Sequence, residues 1–169
     1  RENSAEHSWH LAMYALLLHD LADRPVDPPR VIRMLLVHDV VEVDAGETPF
    51  HAGVPPREQA EREARAAERL FGILPRPEGE AFLALWHEFE AGETADAAFA
   101  KALDRAQPLI ANVLTGGGTW IENRLTRDEV LARYGPTIAG GSSRLWAACE
   151  ALVRGHFSEG SEAPVEDDV

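Results

Sequence analysis

The chain has 169 residues, of which 45% are hydrophobic and 27% are charged, so it can bury one ordinary core and is neither a disordered nor a fibrous chain. Its 16 Lys and Arg residues stand against 29 Asp and Glu residues, which gives a formal net charge of -13. A chain this acidic repels phosphate polymers and anionic lipid surfaces, which excludes a nucleic-acid polymer and a membrane as partners.

The cysteine content and the ends of the chain bear on its location. The single cysteine, Cys149, cannot form an intrachain disulfide, and its apolar surroundings in the sequence predict a buried thiol in a reducing compartment. The longest apolar runs are far shorter than the roughly 20 residues that span a bilayer, and no signal-peptide pattern opens the sequence. We therefore expect a cytoplasmic protein. Because Arg1 directly precedes a dense motif, we also expect a natural segment before it.

Helical periodicity dominates the sequence from its first residues. Four residues are predicted to cap helices because their side-chain oxygens can accept free backbone amides: Asn3, Asp27, Thr94 and Thr126. The predicted helices cover residues 3–23, 27–41, 58–71, 78–90, 94–114, 126–134 and 144–157, with a Pro- and Gly-rich loop over 46–56. The acidic residues from Glu58 to Glu68, which include Glu63, and those at Glu88 and Glu90 are predicted to lie on solvated surfaces. No segment alternates like a strand, so we predict an all-α fold with one domain over 1–157 and an acidic, disordered tail over 158–169.

The densest group of ionisable residues is His38, Asp39 and Glu42, within a predicted apolar helix. On an α-helix His38 and Asp39 lie about 100° apart, whereas Glu42, four residues after His38, lies on the same face as His38. Such a group is costly to bury unless its charges are paired or bind a metal. Both a buried ion pair and a metal site fit this segment.

Other segments offer further candidate ligands. His7, one turn before His10 in the first predicted helix, could supply an imidazole from a second helix. Asp104 lies among apolar residues, and Lys101, three residues earlier, could orient it. The pair His19 and Asp20 repeats the His-Asp dipeptide at the end of a helix, where a cation complements the helix dipole, so we interpret it as structural.

Together these segments resemble a known family. Residues 1–10 (RENSAEHSWH), residues 38–49 (HDVVEVDAGETP) and residues 101–104 (KALD) resemble the HD-domain metal-dependent phosphohydrolases, and most of all the branch related to 5'-deoxynucleotidases and the HD domain-containing 2 proteins. The resemblance extends from residue 1 to about residue 115, and residues 120–145 with the preceding glycines resemble bacterial members of that branch.

The resemblance implies a compact helical bundle, a homodimer and one divalent metal ion, whether Mn, Co, Zn, Mg or Fe. The implied metal ligands are His7, His38, Asp39 and Asp104. The implied reaction is hydrolysis of a deoxynucleoside 5'-monophosphate to a nucleoside and phosphate, with Asp39 and Glu42 as catalytic residues and Glu42 assisting the attacking water or the leaving group.

The resemblance also implies residues that contact the substrate. Glu47, Thr48, Pro49 and Phe50 match the segment that lines the nucleotide pocket, although family members commonly carry Asp at the position of Glu47. The arginine that orients the phosphate in the family would precede Arg1, so Arg1 is an expected neighbour of the phosphate at a different family position.

Three alternatives stay open at this stage. The chain could hydrolyse another phosphate ester, or it could bind two metals with the help of His51 and His87, which fall between the His-Asp pair and Asp104. It could also be a non-catalytic helical binding module. Metal content per chain and phosphate release distinguish these hypotheses.

Overall fold

The computed structural model describes residues 2–46 and 56–159. Within these ranges it contains helices and no strand, which confirms the all-α prediction. The α-helices are α1 (Ser4–Leu18), α2 (Pro28–Val37), α3 (Glu42–Ala45), α4 (Pro56–Phe71), α5 (Arg76–Ala91), α6 (Ala95–Leu114), α7 (Gly118–Glu122), α8 (Arg127–Gly141) and α9 (Ser143–Glu159). No helix in the described ranges is both long enough and apolar enough to cross a membrane.

The predicted caps begin four of these helices. The side chain of Asn3 accepts from the amides of Ala5 and Glu6, and the Glu6 carboxylate accepts from the Asn3 amide, which completes a capping box at α1. Asp27, Thr94 and Thr126 accept in the same way at the starts of α2, α6 and α8. Local hydrogen bonding thus explains where these helices begin.

The first two helices end earlier than the periodicity predicts. α1 ends at Leu18, and a 3₁₀ turn covers His19–Leu21. α2 ends at Val37, and a 3₁₀ segment covers His38–Val41 before α3 begins. Both tighter turns contain a His-Asp dipeptide, and the second includes the β-branched pair Val40 and Val41, whose side chains crowd an α-helix.

The last third of the chain is more helical than its glycines suggest. α8 continues past Tyr134 to Gly141, because Gly135 lies against the Trp146 ring and Gly141 lies against the backbone of Ala98. These glycines permit close helix packing instead of ending the helix. The short helix α7 was not predicted, and α9 extends to Glu159, two residues into the predicted tail. Residues 160–169 lie outside the described ranges.

Helix α6 lies at the centre of the core. It contacts α1, α2, α5, α8 and α9, and its Phe99, Leu103 and Leu109 are fully buried. The free thiol of Cys149 belongs to the same buried cluster, as predicted. A second, smaller cluster joins Val41, Ala45 and Trp86 with residues of α4. The 3₁₀ segment therefore lies between two packed clusters, which fix its position.

Candidate metal centre

In the 3₁₀ segment, side chains that are three residues apart lie on the same side. Residues three apart are eclipsed in a 3₁₀ helix, so His38 aligns with Val41 and Asp39 aligns with Glu42. His38 and Val41 are buried at 6% and 3% exposure, whereas Asp39 and Glu42 are partly exposed. By this geometry Glu42 lies in the row of Asp39, and His38, Asp39 and Glu42 all line the same cavity. The amide of Glu42 donates to the carbonyl of Asp39, as this geometry requires.

Three other elements bring side chains to this segment or hold it in place. His7 of α1 places its Nε2 atom 3.1 Å from Oδ1 of Asp104 on α6 and 4.0 Å from Oδ2 of Asp39. The indole Nε1 of Trp86 on α5 donates to the carbonyl of His38 at 3.2 Å. The structure thus brings together His7, the pair His38 and Asp39, and Asp104, from three separate parts of the sequence.

The ligand atoms of this group are close enough for one ion. One atom from each of His7, His38 and Asp39 lies within 4.8 Å of the others. Oδ1 of Asp104 joins them, since it is 3.1 Å from Nε2 of His7 and 3.5 Å from Nε2 of His38. Metal bonds to nitrogen and oxygen ligands are about 2.0 to 2.2 Å long. At these separations His7, His38 and Asp39 can reach a common ion, and Asp104 lies beside the two imidazoles.

The hydrogen bonding of the buried His38 imidazole indicates what kind of group would suit this site. Its Nδ1 donates to the carbonyl of Leu35 at 2.9 Å, which in the neutral ring leaves a lone pair on Nε2. That Nε2 is buried and makes no hydrogen bond, although Oδ1 of Asp39 is 3.0 Å away and Oδ1 of Asp104 is 3.5 Å away. A lone pair facing carboxylate oxygens is unfavourable unless a proton or a metal ion lies between them. The donor set therefore fits a divalent metal.

The pKa values of these residues reflect the same crowding. Burial raises the pKa of Asp104, but the imidazoles of His38 and His7 outweigh burial and hold that pKa well below its ordinary range. Burial also raises the pKa of Asp39, and the charge of Asp104 adds to this increase. Burial lowers the pKa of both histidines, but Asp104 and Asp39 outweigh it and raise both above 6.5. Without a metal, the folded site attracts protons to its imidazoles.

The group opens into a cavity of about 450 Å³. Glu42 lines this cavity, and so do three charged residues that the sequence analysis assigned to solvated surfaces or did not consider: Glu63, Glu90 and Arg105. For two of these residues, the position relative to buried neighbours indicates that the side chain lies near the core. Glu63 lies three and four residues before the buried Ala66 and Ala67, and Glu90 follows the buried Trp86 and Phe89 on the same stripe of α5.

Lys101 has a different role from the predicted one. Its Nζ atom lies 3.9 Å from Oε1 of Glu90 and 4.7 Å from the centre of the Phe89 ring. Asp104 is instead oriented by the two imidazoles, with the charge of Arg105 nearby. Lys101 thus lines the cavity on the side of α5.

Two described histidines from the sequence analysis, His19 and His87, do not line the cavity. Nδ1 of His19 contacts the carbonyl of Leu16 at 3.2 Å, which agrees with a structural role at the end of α1. His87 packs against the Trp86 ring, and it does not belong to the described lining of the cavity. His51 lies outside the described ranges, as do the predicted substrate contacts Arg1, Glu47, Thr48, Pro49 and Phe50.

Comparison with known proteins places this site in a family. A family model described as the HD domain matches residues 1–146. The chain belongs to the HD domain family. This confirms the family that the three sequence segments suggested, and the bundle described above is therefore an HD-domain fold.

Relatives of this HD-domain chain include proteins named 5'-deoxynucleotidase HDDC2. The human protein is 29% identical over 109 residues, which cover 64% of this chain and 52% of that protein. The Xenopus laevis protein is 31% identical over 109 residues, which cover 64% of this chain and 53% of that protein. The HD-domain chain thus spans about half the length of these curated relatives.

Two solved structures are similar to the HD-domain chain. One, described as a predicted metal-dependent phosphohydrolase from Magnetospirillum magnetotacticum MS-1, is 51% identical with a TM-score of 0.87, covering 97% of this chain and 82% of that one. The other, the HD domain-containing protein YGK1, is 15% identical with a TM-score of 0.62, covering 94% and 78%. At that identity YGK1 supports the fold alone.

Proposed function

We propose that this chain is a metal-dependent phosphohydrolase that cleaves (deoxy)nucleoside 5'-monophosphates to nucleoside and phosphate. The convergence of two imidazole nitrogens and two carboxylate oxygens beside an open cavity carries the proposal. The names of the similar proteins support the reaction class and the substrate class, since they describe a metal-dependent phosphohydrolase and 5'-deoxynucleotidases.

The proposed metal ligands are His7, His38, Asp39 and Asp104. When bound, one divalent ion, whether Mn, Co, Zn, Mg or Fe, would lower the pKa of a water molecule and offset negative charge on the phosphate. The four side chains supply two neutral nitrogens and two carboxylates, a set that several first-row ions accept. Asp39 belongs to both the ligand set and the catalytic pair.

The charges around the cavity explain why this site needs a cation for a phosphate substrate. Five carboxylates line it, those of Asp39, Glu42, Glu63, Glu90 and Asp104, against the two cations of the described lining, Lys101 and Arg105. A phosphate monoester carries nearly two negative charges at neutral pH. The carboxylates alone would repel it, so substrate binding and metal binding depend on each other.

Glu42 is the proposed general acid or base. It lines the same cavity as His38 and Asp39. Hydrolysis transfers the hydroxyl of a water molecule to phosphorus and a proton to the leaving ester oxygen. A carboxylate at this position can accept the proton from the water or deliver one to the leaving oxygen.

Lys101 and Arg105 are proposed to contact the phosphate. They lie one turn apart on α6 and line the same cavity as Asp104. The contact of Lys101 with Glu90 leaves its ammonium on the cavity wall. Together with Arg1 and with residues 47–50, which lie outside the described ranges, they make up the proposed substrate site. The cavity volume falls within the usual range for small-molecule sites.

A panel of phosphate esters tests the proposed function. The chelator-treated protein is supplied with Mn, Co, Zn, Mg or Fe(II), the iron under anaerobic conditions, and phosphate release is measured from 2'-deoxynucleoside 5'-monophosphates, ribonucleoside 5'-monophosphates, 3'-monophosphates and a cyclic phosphodiester. We expect release from 5'-monophosphates that requires added metal. Release only from other esters would move the substrate class, and failure with every ester and metal would support a binding module.

Three further properties stay predictions: the homodimer, the single metal ion per chain and the cytoplasmic location. The homodimer implied by the family resemblance is measured by light scattering during size-exclusion chromatography. Two metal ions per chain would contradict the single-metal site and favour the alternative that includes His51 and His87. Cytoplasmic location is tested by cell fractionation.

A further inference from the structure

The imidazole of His7 lies between two carboxylates that belong to different parts of the chain. Its Nε2 atom is 3.1 Å from Oδ1 of Asp104, on the side of the proposed metal. Its Nδ1 atom, on the opposite side of the ring, is 3.5 Å from Oε2 of Glu2. Glu2 does not line the cavity, so it faces the histidine from behind.

The carboxylate of Glu2 is itself held in place. The side-chain amide of Gln107 donates to both Oε1 and Oε2 of Glu2, each at 2.9 Å. Gln107 is buried at 2% exposure and lies one turn after Asp104 on α6. Nδ1 of His10 is 3.7 Å from Oε1 of Glu2 on its other side. The same amide nitrogen is 3.2 Å from Nδ1 of His10. Its two bonds to the Glu2 carboxylate hold that carboxylate against His7.

The second imidazole of the site is oriented in a different way. His38 donates from Nδ1 to the carbonyl of Leu35 at 2.9 Å, within its own helical turn. The backbone carbonyl of Leu35 therefore orients the imidazole ring of His38 without help from a side chain. The described structure places no such carbonyl at Nδ1 of His7, where the described polar partner is the Glu2 carboxylate. The two imidazoles thus differ in what holds their tautomer.

We propose that Glu2 is a positioning residue that keeps the proton of His7 on Nδ1, so that the Nε2 lone pair faces the metal, and that Gln107 fixes Glu2 for this task. An acceptor behind a metal-binding histidine orients the ring and raises its basicity, and its removal typically weakens metal affinity about 10- to 100-fold. This inference rests on the proposed metal site.

The inference is tested by the affinity of the protein for cobalt(II). This affinity is measured by competition with a chromogenic chelator and by the visible absorption of the bound ion. We expect Glu2→Ala to weaken cobalt binding about 10- to 100-fold and to change the absorption bands, because the orientation of His7 is lost. Glu2→Gln, whose amide oxygen still accepts from Nδ1, should restore most of the affinity. Gln107→Ala should weaken binding less, and adding it to Glu2→Ala should have no further effect, because Gln107 acts through Glu2.

Glu6→Ala is the matched control. It removes the capping box of α1 without removing a contact to His7. If it weakened cobalt binding as much as Glu2→Ala, Glu2 would merely anchor the start of α1 and the inference would be wrong. Unchanged affinity and absorption in Glu2→Ala would also overturn it. Failure of the wild-type chain to bind cobalt would instead contradict the proposed metal site itself.

Discussion

Metal and protons are expected to compete for the two imidazoles, so a divalent ion should stabilise the protein far more at pH 7.5 than at pH 5.5. The folded-state pKa values of His7 and His38 are raised above 6.5. In the metal-free protein this contribution to stability is fully present below pH 6.5 and is lost as the pH rises through the folded-state values. Metal binding requires both rings to be neutral, so its pH dependence has the opposite sign.

The size of the effect follows from linkage. A ligand at 100 times its Kd stabilises the folded state by about 2.7 kcal/mol. For a chain of this length that corresponds to an increase in Tm of about 5 to 11 °C. Below both folded-state pKa values, displacing two protons lowers the apparent affinity about 100-fold per pH unit, or about 2.7 kcal/mol. The stabilisation gained at pH 7.5 should therefore be almost absent at pH 5.5.

Calorimetric unfolding with and without manganese, at fixed free metal concentration, measures this difference. The Tm of the metal-free protein should also fall between pH 5.5 and pH 7.5, because the stabilising protonation of His7 and His38 is lost over this range. His19→Ala serves as a control, since His19 lies outside the site and its removal should leave the metal-dependent increment unchanged. An increment of the same size at both pH values would refute the assignment of His7 and His38 as ligands.

Three substitutions, the first with a matched control, give further predictions. Glu42→Gln should lower kcat about 10²- to 10⁴-fold with bound metal unchanged. The control Asp44→Asn, at a residue two positions later that pairs with Arg69, should keep full activity. Full activity in Glu42→Gln would contradict the assignment of Glu42 as a general acid or base. His19→Ala should leave kcat and metal content unchanged, and a loss of either would show that the second His-Asp dipeptide is functional. Gly141→Ala places a methyl group 2.3 Å from the carbonyl oxygen of Ala98. It should therefore lower the free energy of unfolding, measured by urea denaturation, by about 1 to 3 kcal/mol or more. An unchanged denaturation midpoint would contradict the close contact of α6 with α8.

The helix starts could be predicted because they depend on neighbouring residues. Asn3 and Thr126 each cap a helix through a side chain and an acid three residues later, and both patterns can be recognised in the sequence. The end of α8 depends on packing between distant segments. Gly141 continues α8 because it meets Ala98 of α6, a contact that no local pattern contains.

In the site, too, some features could be predicted from the sequence and others depend on packing between distant segments. The residue types and order of His7, His38, Asp39 and Asp104 suggested a metal site, but their approach requires three helical elements to pack together. The 3₁₀ geometry that aligns Glu42 with Asp39 was not predicted, because an apolar run with two valines also fits an α-helix. Glu63 and Glu90 were assigned to solvated surfaces because charged helices usually are, yet they lie beside the cavity through the packing of α4 and α5.

The most direct test of the central claim measures metal content and phosphate release in the same sample, for the wild-type chain and for His38→Ala and Asp39→Asn. Circular dichroism confirms that each variant is folded. The account predicts one metal ion per wild-type chain and metal-dependent release of phosphate from a deoxynucleoside 5'-monophosphate, with both lost together in His38→Ala and both strongly reduced in Asp39→Asn. Undiminished phosphate release by folded His38→Ala would contradict it.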